Sequence, residues 1–161
     1  MSETELFPQA LAAEAVAPQA KKSNYPEVFA LRVQGRSKRR LGDVFGLRNF
    51  GVNHCTLEPG AISALLHRHS RQDEFIYILE GEPLLRLGSG EQRLRPGDCC
   101  GFPAGGEAHQ LINDGTAAVK YLEVGDRSAG DAVDYPEDDL KAGLRADGSW
   151  AMTRKDGSEY V

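Results

Sequence analysis

The chain has 161 residues, 40% hydrophobic and 27% charged, which suits one globular domain with a real core. A net charge of −5 and a pI near 5.4 argue against general binding to nucleic acid or to an anionic membrane, and no apolar run approaches the roughly 18 residues that would span a bilayer. The three cysteines, Cys55, Cys99 and Cys100, form neither a disulfide framework nor a metal-finger spacing, so a cytoplasmic protein is expected.

The N-terminus, "MSETELFPQALAAEAVAPQA", carries acids where a secretory leader needs bases and lacks a continuous apolar segment, so it is read as retained. Residues 1 to about 24 suit a short helix broken by Pro8 and Pro18, or a mobile arm. The segment "GRSKRRLGDVFG", 35–46, holds the only concentrated positive charge. It reads first as a solvated loop and second as a contact site for a substrate phosphate or another anion.

From about 49 to 123 short β-type runs alternate with Gly/Pro turns. "FGVNHCTL" ends at Glu-Pro-Gly and "EFIYILEG" at Gly81. "PLLRL" and "EQRLR" flank Gly88-Ser89-Gly90 as a hairpin, and "DCCGF", "HQLIN" and "AAVKYLEV" follow. Six or seven strands about ten residues apart, with no helix between them, predict an antiparallel sandwich or small barrel. No internal repeat is visible, so one barrel is expected. Adjacent residues on a strand face opposite ways, so Cys99 and Cys100 are not a chelating pair and are expected as small buried hydrophobes. After Gly125 the acidic "SAGDAVDYPEDDLKAG" is expected to wrap the surface. "WAMTRKDGSEY" reads as a terminal hairpin turning at Asp156-Gly157, with Trp150 and Tyr160 as packing anchors.

The histidines make a pattern. His67 and His69 are two apart, so a strand projects both to one face. Glu74 follows after the polar "SRQD", which supplies a turn that lets it open the next strand facing inward, with Asp73 facing away. Phe75, Tyr77 and Leu79 are as apolar as Ile76 and Ile78, so periodicity alone does not choose between the two acids. His109 follows a Pro-x-Gly turn and a second glycine, with Asn113 on the same face. Three imidazoles and a carboxylate suit one borderline divalent ion such as Zn, Mn, Fe, Ni or Co, with positions left for water or substrate. His54 stands outside this set and reads as a surface or hydrogen-bonded core residue.

These residues carry a resemblance. Gly60-x6-His67-x-His69-x4-Glu74-x6-Gly81 resembles the first cupin motif, with one extra residue before the first histidine. Gly97-x5-Pro103-x-Gly105-x3-His109-x3-Asn113 resembles the second, with one extra residue after the Pro-x-Gly turn. Both departures fall in turns and leave strand parity intact. The flanking "RLGDVFGLRNFGVN", "YLEVGDR" and "DYPEDDL" are similar to small single-domain bacterial cupins without an assigned reaction. The resemblance implies an all-β fold, a single conical antiparallel barrel (double-stranded β-helix, or jelly roll) over 41–125. An irregular N-terminal extension, 1–40, and a C-terminal one, 126–161, flank it. It further implies a divalent metal held by His67, His69, Glu74 and His109.

Metal ligation is not itself a reaction. The leading expectation is an enzyme on a small polar metabolite, with sugar or sugar-phosphate isomerisation as first candidate and phosphate contacts from 36–40. The alternatives are an Fe- or Mn-dependent dioxygenase and a non-catalytic barrel that binds a small ligand. No general base stands out, because Tyr77, Arg86, Lys120 and Tyr121 read as packing or surface residues. A homodimer is expected from the strand edges and long extensions; nucleic acid and membrane are not expected partners.

Overall fold

The computed structural model describes residues 7–20 and 23–160. Of the helix or arm expected over 1 to about 24, residues 1–6, 21 and 22 lie outside the described residues. Within 7–20 the chain holds one 3-10 turn, Ala13–Ala15, and Gln19 N donates to Lys38 O. A second short helical segment, Glu27–Ala30, precedes the strands.

Twelve strands are found among the described residues. They are β1 (Arg36–Arg40), β2 (Phe50–Leu57), β3 (Arg68–His69), β4 (Glu74–Glu80), β5 (Leu84–Leu87) and β6 (Gly90–Arg93), then β7 (Cys99–Phe102), β8 (His109–Ile112), β9 (Val119–Asp126), β10 (Ala132–Tyr135), β11 (Leu140–Leu144) and β12 (Trp150–Thr153). They form a five-stranded sheet in the order β1-β2-β9-β4-β7, a four-stranded sheet β12-β11-β10-β3 and a three-stranded sheet β6-β5-β8. All pairings are antiparallel, as a jelly roll requires.

Strands also come from outside 41–125. The basic run 36–40, read as a solvated loop, is instead strand β1, paired residue for residue with β2. Ladder hydrogen bonds outweigh the polarity of this run because alternate cations find partners on the two faces. Lys38 meets Glu123 on one, and Arg39 meets Glu14 and Val16 O of the N-terminal segment on the other. The C-terminal stretch does not only wrap the surface. Through β10 it pairs with β3, placing Val133 opposite His69. The terminal turn forms as read, with a Thr153–Glu159 bridge and Gly157 N donating to Arg154 O.

The inner face of the large sheet changes character along its strands. Its successive cross-strand rows run Leu57–Val119, then Cys55–Tyr121–Ile78, then Asn53–Glu123–Ile76, then Gly51–Gly125–Glu74. The first two rows belong to a closed core with Leu85 and Leu111. A second core, including Phe29, Leu65, Tyr135 and Leu140, seals the C-terminal sheet against the N-terminal helix. The polar rows between these cores make the site.

Candidate metal centre

Three elements bring the sequence-selected residues together. β3 carries His69 with His67 just before it, β4 opens on Glu74, and β8 opens on His109; His67 and His109 face each other across an isolated antiparallel bridge. The polar turn between His69 and Glu74 sends Glu74 inward. Asp73 turns outward, where its Oδ1 accepts from Ala104 N. The ambiguity between the two acids is thereby resolved.

Glu74 Oε2 lies 2.9 Å from His109 Nε2, 3.4 Å from His67 Nε2 and 3.5 Å from His69 Nε2. Candidate ligand atoms of His67, His69 and Glu74 lie within 4.8 Å of one another. Yet Glu74 Oε2 is buried and none of these approaches has hydrogen-bond geometry. A buried carboxylate oxygen ringed by three imidazole nitrogens, and not hydrogen-bonded by any of them, is costly unless an electropositive centre joins the set. The residues therefore fit a divalent metal.

The outer ring nitrogens support the same orientation. His67 Nδ1 is 2.8 Å from Leu65 O, which only accepts, so Nδ1 carries the proton and Nε2 keeps its lone pair. His69 Nδ1 is 2.5 Å from Asp131 Oδ2. Asp131 is itself fixed by donors from Ser70 Oγ, Arg71 N and Gln72 N. His109 stacks on Phe102 with ring centroids 3.6 Å apart and planes 2° from parallel, and its buried Nδ1 has no partner among the described residues.

Electrostatics follow the crowding. Burial pushes the Glu74 carboxyl up, but the imidazoles of His109 and His67 outweigh it and hold it well below the carboxylate range. Burial pulls His67 down, and Glu74 more than reverses that pull. At His109 burial prevails and the pKa falls. The cluster favours the carboxylate at Glu74 and the neutral ring at His109, as a metal requires, whereas His67 is held toward its protonated form and must release a proton to ligate.

The centre sits in a cavity of about 200 Å³ bordered by Arg36, Lys38, Glu123, Tyr135 and Trp150. Lys38 Nζ is 2.5 Å from Glu123 Oε1, which also accepts from Asn53 Nδ2 at 3.0 Å. Arg36 Nη1 donates to Ser63 O. Trp150, expected only as a packing anchor, also lines the site, with its ring edge-on to His69 at 6.1 Å. Tyr160 does act as an anchor, against Phe29. His54 lies outside the centre, on the opposite sheet face near Glu14. The cysteine expectation needs correction: Cys99 is exposed and Cys100 half-buried, because Cys99 falls on the outer face of a strand at the end of the sheet.

Comparison with known proteins agrees with this geometry. The family model of the cupin domain matches residues 53–125. A cupin-superfamily sugar phosphate isomerase from Silicibacter pomeroyi is 40% identical, with a TM-score of 0.88 over 94% of this chain and 96% of that one. The chain belongs to the cupin superfamily. A second cupin-fold structure, from Acidithiobacillus ferrooxidans and provisionally assigned as a sugar phosphate isomerase, is 33% identical. Its TM-score is 0.70 over 78% of this chain and 80% of that one. An oxalate-binding protein from Thermotoga maritima is 35% identical over 68 residues, 42% of this cupin and 54% of that protein. The match thus spans about half the length of that relative.

Sequence reasoning missed Asp131 and Glu123; it named 36–40 as a possible phosphate contact, but not the strand that turns Arg36 and Lys38 inward. Asp131 lies 62 positions from His69 among several other acids, with no local signal to single it out. Arg36 and Lys38 did carry a signal, since residues two apart share a face once the run is recognised as a strand.

Proposed function

We propose that this cupin is a metal-dependent enzyme acting on a small polar metabolite, with aldose–ketose isomerisation of a sugar or sugar phosphate as its reaction. One observation carries the reading: the buried, unsatisfied Glu74 Oε2 inside a ring of three imidazoles, at the base of a cavity whose wall includes Arg36 and Lys38. His67, His69, Glu74 and His109 would hold one divalent ion, which when bound polarises a carbonyl or orients a hydroxy-carbonyl group. Arg36 and Lys38 offer guanidinium and ammonium donors to a phosphate or hydroxyl, and Trp150 and Tyr135 line the same cavity. The relatives described as sugar phosphate isomerases support the substrate class. The three free thiols suit a reducing compartment, so we place the protein in the cytoplasm.

A second reading is a barrel that binds a small anion without transforming it. The small cavity with two cations and the oxalate-binding relative support that reading. The deciding experiment starts from protein purified without added metal, with elemental analysis before and after reconstitution. A panel of aldoses, ketoses and their phosphates is then followed by NMR with and without chelator. Chelator-sensitive interconversion is expected. Metal-loaded protein that is stabilised by a ligand yet converts none of the panel would replace the enzyme with the binder.

A further inference from the structure

The cavity wall holds one carboxylate that the metal centre does not use. Among the described residues that border it, Glu74 belongs to the ligand set and Glu123 is the other acid. Tyr25 and Tyr135 border it too, but burial pushes both phenols up, so neither is a base at neutral pH. Burial also pushes the Glu123 carboxyl up, yet the Lys38 ammonium outweighs it and keeps Glu123 an anion. Its two donors, Lys38 Nζ at 2.5 Å and Asn53 Nδ2 at 3.0 Å, both meet Oε1. Oε2 has no donor among the described residues and is not one of the buried unpartnered oxygens, so it stays open to the cavity. Glu74 stands opposite Gly125, two residues beyond Glu123 on β9, which sets Glu74 and Glu123 on a diagonal of roughly 7–8 Å. A side chain at Gly125 would begin 3.9 Å from Glu74 Cγ, so the glycine keeps the space beside Glu74 clear.

We propose, resting on the isomerase reading above, that Glu123 is the general base that carries a proton between the two reacting carbons. The diagonal leaves room for a two-carbon unit between the ligand set and Oε2, where reacting atoms must come within about 3–3.5 Å of each other. Oε2 takes the proton from C2 of the aldose. The C2–H electron pair forms the C1–C2 double bond, and the carbonyl pair moves onto O1. The neutral carboxyl of Glu123 then returns its proton to C1, while the O2 hydroxyl proton passes to O1 and a carbonyl forms at C2. One hydrogen has moved from C2 to C1 and one from O2 to O1, and Glu123 is again a carboxylate. No oxidant or reductant is consumed. Lys38 and Asn53 hold the carboxylate by Oε1 and so fix the direction in which Oε2 points. That positioning is what a base needs first, before basicity.

The test follows each aldose and aldose phosphate of the panel by NMR in D2O with metal-loaded protein. Wild type should place deuterium at C2 of the recovered aldose and at C1 of the ketose. Glu123→Gln should slow both conversion and labelling by about 100- to 10,000-fold, the usual worth of a general base. Its metal content and its thermal shift with the same sugar should stay at the wild-type values. Glu123→Asp keeps the charge but withdraws it by one methylene, so it should fall between; it carries the test if circular dichroism shows Glu123→Gln unfolded. Wild-type conversion by Glu123→Gln overturns the base and leaves the isomerase reading standing. So does wild-type conversion without any deuterium from solvent, which marks direct hydrogen transfer between the carbons. A slow Glu123→Gln that has also lost metal or the thermal shift makes Glu123 only a structural partner of Lys38, and overturns the proposal too. A wild type that converts and labels nothing in the panel removes the isomerase reading, and this proposal with it.

Discussion

Asp131 grips His69: its Oδ2 is 2.5 Å from Nδ1 of the ring, and the carboxylate is fully buried with three further donors on its other oxygen. Burial pushes the Asp131 carboxyl up, but His69 and the backbone N–H of Arg71 hold it below its usual value. It is therefore the anion that fixes the His69 ring and leaves Nε2 free toward Glu74. Asp131→Ala should weaken metal binding by about 10- to 100-fold, the usual effect of losing a carboxylate behind a ligating histidine. Asp131→Asn, whose amide oxygen can still accept from Nδ1–H, should fall between. Metal competition titrations check this; equal affinity in all three proteins would leave Asp131 a purely structural residue.

The ligand residues themselves give the plainest contrast. His67→Ala and His109→Ala should lose stoichiometric metal, and with it the rise in melting temperature on metal addition. That rise reflects about 2.7 kcal/mol for a site filled at 100 times its dissociation constant. His54→Ala should keep both, because His54 sits on the far face of the sheet. Wild-type metal content in the His67 and His109 variants would remove the metal centre.

Much of this site was legible because its information is local. The i, i+2 spacing of His67 and His69, the turn before Glu74 and the Pro-x-Gly turn before His109 each set a side-chain direction within a few residues. What stayed hidden depends on which strands meet. Charge alone made 36–40 a loop, and only its ladder with β2 shows Lys38 aimed at Glu123. Likewise "DCCGF" alternates in either sense, so nothing in it tells that Cys99 faces out. Asp131 reaches His69 only because β10 pairs with β3.

Gly81, the last residue of the first motif, ends β4 with φ +80°. A Cβ there would stand 2.8 Å from Val119 Cγ2 and 3.0 Å from Ala118 O. Both the left-handed backbone and the overlap oppose a side chain, so Gly81→Ala should destabilise the fold by roughly 1–3 kcal/mol. Urea denaturation with the metal removed checks it, since metal binding would otherwise add to the apparent stability. A change within a few tenths of a kcal/mol would mean that the β4–β9 corner relaxes freely.

The last prediction concerns pH. At Glu123 burial pushes the carboxyl up, but the Lys38 charge outweighs it and leaves the pKa below 4.5. At Lys38 burial pulls the ammonium down, and the Glu123 charge reverses this to leave it above 10.5. A depressed acid stabilises the fold above its unfolded pKa and loses that contribution as pH falls through the folded one. A raised base does so below its unfolded pKa and loses it as pH rises through the folded one. The pair's contribution is therefore complete between about pH 4.5 and 10.5 and fades on either side. Glu123→Gln should cost about 1–3 kcal/mol at pH 7, less than a fully buried pair because both side chains keep some solvent contact. Below about pH 4.5 the wild-type and variant stabilities should converge as Glu123 takes up its proton. Denaturation measured across that range on metal-free protein decides it. A difference that stays constant from pH 7 down to pH 3 would show that the Glu123→Gln cost comes from packing and Asn53, and not from the charge on Lys38.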